Sequence, residues 1–346
     1  MAPEHDQDVP SAPVEDVQDV VEAVPGAEQL AVAPVERPPE KDLLITEDNV
    51  FGTAIEDARR RDFTINGLFY DPLAGKVIDY VRGLRDLALR EIRTIGDPEK
   101  RLREDPVRIL RAVRFASRLG FDIESRTYAA MEGAVEDLPR CSPPRLLEET
   151  FRLVRGGSAA GSLKLIEALG ALKTLLPPVY DYLSRQDADG KDEYWAFVEE
   201  MDALVKARRE LDDSQLLACI LLPLALEEPE APGEEEGGKP PSVAQAVEAL
   251  LQELVQKARL PRRIAERCRM ILMNQRTLAG LRRRRGGLGG FRGHPLFNES
   301  LAVFEVWVAA TGEHEDALAK WKAGGAPVPS PDAPGPRRRR RRRPRA

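Results

Sequence analysis

The chain has 346 residues, 42% of them hydrophobic, and a formal net charge of −6 at pH 7; that is ample material for two or three packed domains and excludes a wholly disordered polypeptide. No apolar run approaches the roughly 18 residues needed to cross a bilayer, and the acidic, proline-rich N-terminus is unlike a secretory signal, so a cytoplasmic protein with no membrane partner is expected. Cys141, Cys219 and Cys268 are far apart, form no C-x-x-C pair and have only His5, His294 and His314 beside them in the whole composition, which argues against structural zinc and against a disulfide framework.

The signs of charge are segregated along the chain. Residues 1–48 carry Asp and Glu almost exclusively, with Arg37 and Lys41 as exceptions, whereas Lys257 to Arg292 and Arg337 to Arg345 are basic. Such asymmetry points to an acidic tail and a C-terminal half that faces nucleic acid.

In chain order, residues 1–40 are rich in Pro, Ala, Val, Glu and Asp and offer too little large apolar surface to offset the entropy of ordering, so disorder is expected there. From Thr64 to Tyr70 the residues are largely β-branched, aromatic or otherwise apolar, Asp71-Pro72-Leu73-Ala74-Gly75 is a turn signal, and Val77 to Tyr80 repeats the strand character. The pattern predicts a β-hairpin. After Gly83 the period becomes helical. Asp105 is placed as N-cap and Pro106 as first helical residue, Ile109, Leu110, Val113, Phe115 and Leu119 supply an apolar face, and Gly120 ends the helix.

Further helices are predicted over Arg126 to Glu136, Pro144 to Val154, Ala159 to Leu169, Tyr194 to Arg208 and Asp213 to Ala225. A charged, Gly/Pro-rich linker or insertion follows at residues 227–242. Beyond it come an amphipathic helix from Val243 to Ala258, a basic helix from Arg262 to Asn274 and an apolar one from Leu301 to Thr311; composition returns to low complexity from residue 324. The expected fold is mainly α-helical, an α+β class with one hairpin and disordered termini.

Two strings concentrate residues able to do chemistry. In Glu104-Asp105-x-x-Arg108 the carboxylate and the guanidinium lie one turn apart at a helix start, an acceptor beside a donor able to meet the edge of a nucleobase. Arg111 and Arg114 continue the row at steps of three and can meet phosphates. In Arg60-Arg61-Asp62-Phe63-Thr64 a guanidinium can pair with phosphate oxygens and a carboxylate can accept from a sugar hydroxyl. As bare patterns both have ordinary readings: Asp before Pro is a common helix start, an Asp–Arg pair one turn apart a common surface pair, and a run of arginines a solvated face.

The string RRDFTINGLFYDP, Arg60 to Pro72, followed by REDPVRILRAVRFASRLGF, Arg103 to Phe121, resembles the motifs of class II nucleotidyltransferases, the bacterial poly(A) polymerases and CCA-adding enzymes. The likeness covers about Asp48 to Lys320, and its specific motifs lie before Phe121; Gly67 stands where the family usually has another small residue. The resemblance implies that Arg61 and Asp62 contact triphosphate and ribose, and that Asp105 and Arg108 select ATP or CTP. Arg111 and Arg114 are nucleotide-binding candidates from their spacing along the helix, with a solvated helical face as the alternative. It implies ATP as substrate, Mg²⁺ as cofactor, RNA 3′ ends as partner, and an activity of template-independent nucleotide addition. The PRRIAERCRMIL segment and the Arg-rich terminus look more like the poly(A) polymerase branch than the CCA-adding one.

Two-metal nucleotidyl transfer needs carboxylates that bridge divalent ions, and the family's Gly-Gly-x-x-Arg-Asp and Asp-x-Asp segments, expected upstream of Arg60, are not found. Asp6-Gln7-Asp8 sits in the acidic tail and Asp187-Ala188-Asp189 in an expected loop. No catalytic or metal-binding residue is therefore assigned, and Mg²⁺ would be held by residues outside this sequence.

The resulting division is an acidic tail (1–40), a hairpin remnant of a nucleotidyltransferase head (42–82), a helical neck that reads the base (83–155), a helical body (156–226), a linker (227–242), a basic RNA-binding tail (243–323) and an Arg-rich terminus (324–346). In the tail, Arg262, Arg263, Arg267, Arg269, Arg282, Arg283, Arg284, Arg285 and Arg292 concentrate charge where phosphates can be tracked. A polyarginine end also binds any polyanion, or serves only solubility. Three arrangements follow: an enzyme whose head is missing, a non-catalytic RNA-binding relative, or a split enzyme completed by a head-bearing partner chain.

Overall fold

The structure is a computed structural model that describes residues 52–207, 210–227, 242–282 and 289–326. The expected acidic tail, the linker over 228–241 and the Arg-rich terminus from residue 327 lie outside the described residues.

The first helix, α1 (Ala54–Arg60), was not foreseen, although its capping box is local. The Glu56 backbone N–H donates to Thr53 Oγ1 at 3.4 Å and the Thr53 N–H to Glu56 Oε2 at 2.7 Å, with acidic residues in the first turn and basic ones in the last. The predicted hairpin forms, in shortened form. Strands β1 (Leu68–Asp71) and β2 (Lys76–Asp79) pair antiparallel with Leu68 opposite Asp79, and Asp71 Oδ1 closes the turn by accepting from the Leu73 and Ala74 N–H groups.

Thr64–Asn66, predicted as strand, is one turn of 3-10 helix. Its side chains are used elsewhere: Thr64 Oγ1 donates to the buried Asp86 at 2.7 Å and Asn66 Nδ2 to Asp62 at 2.9 Å. Helix α2 (Gly83–Leu89) packs against this turn, and a Cβ on Gly83 would run into the Thr64 carbonyl. Asp79 holds its start through the N–H groups of Val81, Gly83 and Leu84.

A second small sheet ties hairpin to helices. Strand β3 (Glu91–Ile92) pairs parallel with β4 (Asp122–Ile123), and the intervening chain forms α3 (Pro98–Glu104) and α4 (Val107–Leu119). Gly120 ends α4 with φ 64°, as predicted. Two details of α4 differ from expectation. Its buried face is Val107, Ile109, Leu110, Ala112, Val113 and Ala116, while Phe115 is half-buried and Leu119 is 42% exposed, so small alanines rather than Phe115 and Leu119 face the close-packed neighbours. Asp105 closes α3 with φ −148°, and Pro106 begins α4 without a side-chain cap, because the Asp105 carboxylate is turned toward another helix.

The remaining helices are α5 (Ser125–Ala134), α6 (Pro143–Val154), α7 (Ala159–Ala168), α8 (Leu172–Leu175), α9 (Pro177–Arg185), α10 (Ala188–Lys206), α11 (Asp213–Leu226), α12 (Val243–Lys257), α13 (Arg262–Leu278), α14 (Phe297–Thr311) and α15 (Glu315–Lys322). Helix α10 starts six residues before the expected Tyr194 because Asp187 accepts from the Gly190 N–H at 2.9 Å; Asp187 and Asp189 thus sit at a helix start rather than in a loop. Asp202 on α10 in turn accepts from the Ala159 and Ala160 N–H groups at 2.8 and 2.9 Å and satisfies the start of α7.

Helix α11 is buried from Ser214 through Ala225 and packs against α10, α13 and α14, the behaviour of a helix that is apolar all round. One apolar core runs from Phe63 to Trp321, and the described residues fall in one compact unit. No described helix is long and apolar enough to cross a membrane.

Candidate functional site

The RRD string enters the site from the C-terminal end of α1, the EDxxR string from the junction of α3 and α4, and α6 closes the third side. Together they line an open cleft of about 780 Å³. Of the six residues expected to bind nucleotide, Arg61, Asp62, Asp105, Arg108 and Arg111 line it directly, and Arg114 stands behind, over the face of Phe115 at 4.8 Å.

Each group is held from the protein side. Arg61 is exposed, pairs with Asp57 at 3.0 Å, donates to the Asn66 carbonyl at 2.7 Å and lies over the Phe69 ring. Asp62 is 7% exposed; its Oδ1 accepts from Asn66 Nδ2 and the Phe63 N–H, and its Oδ2 from Arg111 Nε at 2.5 Å. Burial alone would raise its pKa, but the Asn66 hydrogen bond and the Arg111 guanidinium outweigh that and hold the carboxyl below its ordinary value. Arg108 is 7% exposed and fixed by donation to the Arg101 carbonyl at 2.7 Å. Burial, and then Arg101 nearby, depress its pKa. A guanidinium remains charged under any physiological condition, so the cleft keeps a desolvated cation.

Asp105 stands beside Arg108 with its side chain only 14% exposed. Its Oδ2 accepts from Arg145 Nη2 at 2.6 Å and lies 4.0 Å from Arg108 Nε, while its Oδ1 is buried and without a hydrogen-bond partner among the described residues. Deeper in, Glu149 is 5% exposed and gathers three cations: Arg152 at 2.8 Å, Arg114 at 3.7 Å and Arg111 at 3.9 Å. The cleft lining holds five guanidiniums, of Arg61, Arg108, Arg111, Arg145 and Arg152, against four carboxylates. With Arg114 behind, the surplus favours an anionic ligand.

The α6 residues Arg145, Glu148, Glu149 and Arg152 were missed in the motif reading. Their spacing of i, i+3, i+4 and i+7 puts four charges on one helix face, a signal present in RLLEETFR that no motif pointed to. Asn66 and Phe115 also line the cleft; both lie inside the quoted strings, but the sequence marks Phe115 only as part of an apolar helix face and gives Asn66 no role.

The carboxylates do not fit a divalent ion. Asp62, Asp105 and Glu149 are each matched by an arginine, and among the described residues no group of three or more His, Cys, Asp or Glu is placed to hold a metal.

The basic tail separates into two sets. Arg262 and Arg263 are exposed in the first turn of α13 and pair with nothing among the described residues, and Arg282 is exposed. Arg267 instead bridges Asp212 and Glu299, Arg269 pairs with Glu266 and Glu248, and Arg292 donates to the Trp321 carbonyl beneath the Phe297 ring. Arg283, Arg284 and Arg285 lie outside the described residues.

The family described as "Poly A polymerase head domain" matches residues 16–93, and the family described as "Probable RNA and SrmB- binding site of polymerase A" matches residues 120–183. The head match begins inside the stretch expected as an acidic tail. Poly(A) polymerase I of Salmonella typhimurium is 31% identical over 285 residues, covering 81% of this chain and 60% of that protein. The chain thus spans about 60% of the length of such a relative. The crystal structure of the Bacillus stearothermophilus CCA-adding enzyme in complex with CTP has a TM-score of 0.54 at 24% identity and covers 79% of this chain and 59% of that one. The Thermotoga maritima CCA-adding enzyme complexed with tRNA has a TM-score of 0.52 at 23% identity, with 78% and 61% covered. At these identities the structural likeness is one of fold.

Proposed function

The chain belongs to the family of bacterial poly(A) polymerases and CCA-adding enzymes, and on that footing we propose that the cleft receives ATP or CTP for addition to the 3′ end of an RNA. The observation that carries this reading is the meeting of Asp105 and Arg108 in one cleft with Arg61 and Arg111. Adenine and cytosine each present an amino donor beside a ring-nitrogen acceptor. A carboxylate next to a guanidinium complements that pair, whereas uracil and guanine place a keto oxygen and a ring N–H in the opposite order. Arg61, Arg111 and Arg152 would face the phosphates, and Asp62, ionised through its partners, would accept from a sugar hydroxyl while fixing Arg111.

These residues bind and orient. A two-metal transfer step requires bridging carboxylates, and the described ones are engaged by arginines, so such ligands would come from residues other than these or from a head-bearing partner chain. Similarity to poly(A) polymerase I over most of the chain favours ATP and polyadenylation over CCA addition. Of the tail arginines expected to meet RNA, Arg262, Arg263 and Arg282 are exposed among the described residues and are available to RNA backbone.

The same engagement of the carboxylates favours a second reading, in which this chain grips RNA and nucleotide without transferring. Incubating the purified chain with labelled RNA, Mg²⁺ and ATP or CTP separates the two. ATP-dependent lengthening that is lost in Arg108→Ala supports the enzyme, and salt-sensitive RNA binding with no lengthening supports the binding protein. Absence of both RNA and nucleotide binding would refute the proposal.

A further inference from the structure

Helices α10, α14 and α15 border a second groove, of about 400 Å³, to which none of the residues lining the nucleotide cleft contributes. Its apolar wall includes Leu204 and Leu318, each half-buried, beside the exposed Ala203 and Ala309. The charged groups that line it are three carboxylates, of Glu200, Glu305 and Glu315, and the ammonium of Lys322. Lys322 pairs with Glu305 at 3.4 Å, whereas the Glu200 and Glu315 side chains have no hydrogen bond or ion pair among the described residues. A groove with an apolar wall and an excess of carboxylate suits arginine, which lays its methylene stem on apolar surface and carries a planar guanidinium to a carboxylate. The same excess repels the phosphates of an RNA.

The chain itself carries such a segment. Ala326, the last described residue, lies four positions beyond Lys322, and the Gly325 N–H is tied back to the Lys320 carbonyl at 2.9 Å, so the chain leaves the body beside one wall of the groove. Residues 337–345 then hold eight arginines in nine positions. The ten residues between, 327–336, span up to about 33 Å when extended, against about 12 Å for the whole length of α15.

We propose that the groove between α10, α14 and α15 is an intramolecular docking site for the arginine arm, residues 337–345, with Glu200 and Glu315 receiving guanidiniums. Exposed ion pairs of this kind are individually worth little, but the tether makes docking an intramolecular event at an effective concentration on the order of millimolar. Docking holds the arm away from polyanions that it would otherwise grip without selection, and a competing RNA releases it. The groove is thus a brake on nonspecific RNA binding, separate from the nucleotide cleft.

The experiment puts a photoreactive benzophenone amino acid in place of Arg340 in the whole chain and maps the cross-linked peptides after irradiation. Label is expected on the segments Glu200 to Leu204, Glu305 to Gly312 and Glu315 to Lys322, in a species of single-chain mass. It should fall about threefold to tenfold when Glu200→Gln and Glu315→Gln are combined, the loss of two exposed ion pairs. Without the benzophenone, the same double variant should bind a labelled oligo(A) RNA more tightly by a similar factor at low salt, and that gain should vanish when residues 337–346 are deleted. The melting temperature should hold, since neither glutamate has a partner in the body to lose.

Label on residues 1–48 or on the Arg283 to Arg285 run in place of the groove would overturn the inference by giving the arm another seat or none. Label confined to species of twice the chain mass would assign the groove to the arm of a second copy and overturn the intramolecular contact. Label undiminished in the double variant, an RNA affinity that does not change, or a gain that persists without the arm would overturn it as well.

Discussion

In the cleft between α4 and α6, arginines and carboxylates are packed against one another, and buried polar atoms such as Asp105 Oδ1 and Glu149 Oε2 have no hydrogen-bond partner among the described residues. Around α11, every residue from Ser214 through Ala225 is buried, with α10, α13 and α14 about it. The first region holds charges that water would solvate better, which is a cost to folding that ligand binding can recover. The second is a conventional apolar core. The difference teaches that selection for binding and selection for stability fall on separate side chains here, so a substitution should move one quantity and spare the other.

The largest effect should come from the apolar side. Trp321 is fully buried, meets Phe291 and Phe297 edge-on, and donates from Nε1 to the Leu278 carbonyl at 2.8 Å. Trp321→Ala should cost about 3–5 kcal/mol in urea unfolding while the folded fraction binds nucleotide as before; a comparable loss of affinity would break the separation.

On the cleft side, Arg108→Ala should lower ATP affinity by about tenfold or more, because a hydrogen bond to a charged, desolvated group is removed. The change in melting temperature should be small beside that of Trp321→Ala. Titration calorimetry and thermal melts on the same sample decide the point.

Asp62 lies where the two quantities mix, since it ties Arg111 and Asn66 as well as facing the cleft. Asp62→Asn should cost about 1–3 kcal/mol at neutral pH. The sign of the pH dependence follows from the lowered carboxyl: in the unfolded chain it titrates near 3.8, in the folded one below that. Its stabilisation is therefore complete above the unfolded value and is lost as pH falls through the folded one. The gap between native and variant should close in acid, and a gap that stayed constant would contradict the ionised contact.

The smallest effect should be at the seam between regions, where Arg155 on the segment after α6 meets Asp213 through two 2.8 Å bonds. Both are partly exposed, 40% and 25%, so Arg155→Ala should cost under about 1 kcal/mol, and less at high salt.

The legibility of the two regions in sequence also differs. Helix α4 could be bounded because its stop is one local residue, Gly120, and the hairpin turn because Asp71 to Gly75 is a local signal. Strands β3 and β4 could not be found: each is two residues long and pairs with a segment about 30 residues away, which leaves no period to read. At the site, the motif arginines and aspartates were legible as strings. The partners that give them their roles were not, since Arg145 and Glu149 reach the cleft from α6 and only the fold brings them there. The same reason divides the basic tail. Spacing shows that Arg267 and Arg269 are charged, and only packing shows that Asp212, Glu299, Glu266 and Glu248 already hold them.

The most direct test of the central claim is to cross-link a photoreactive ATP analogue to the whole chain and map the labelled peptides, with unlabelled ATP as competitor. Competed label confined to the segments that line the cleft, around Arg61 to Asn66, Asp105 to Phe115 and Arg145 to Arg152, is the predicted result. Competed label in the basic segment from Arg262 to Arg292, with none in the cleft, would contradict it.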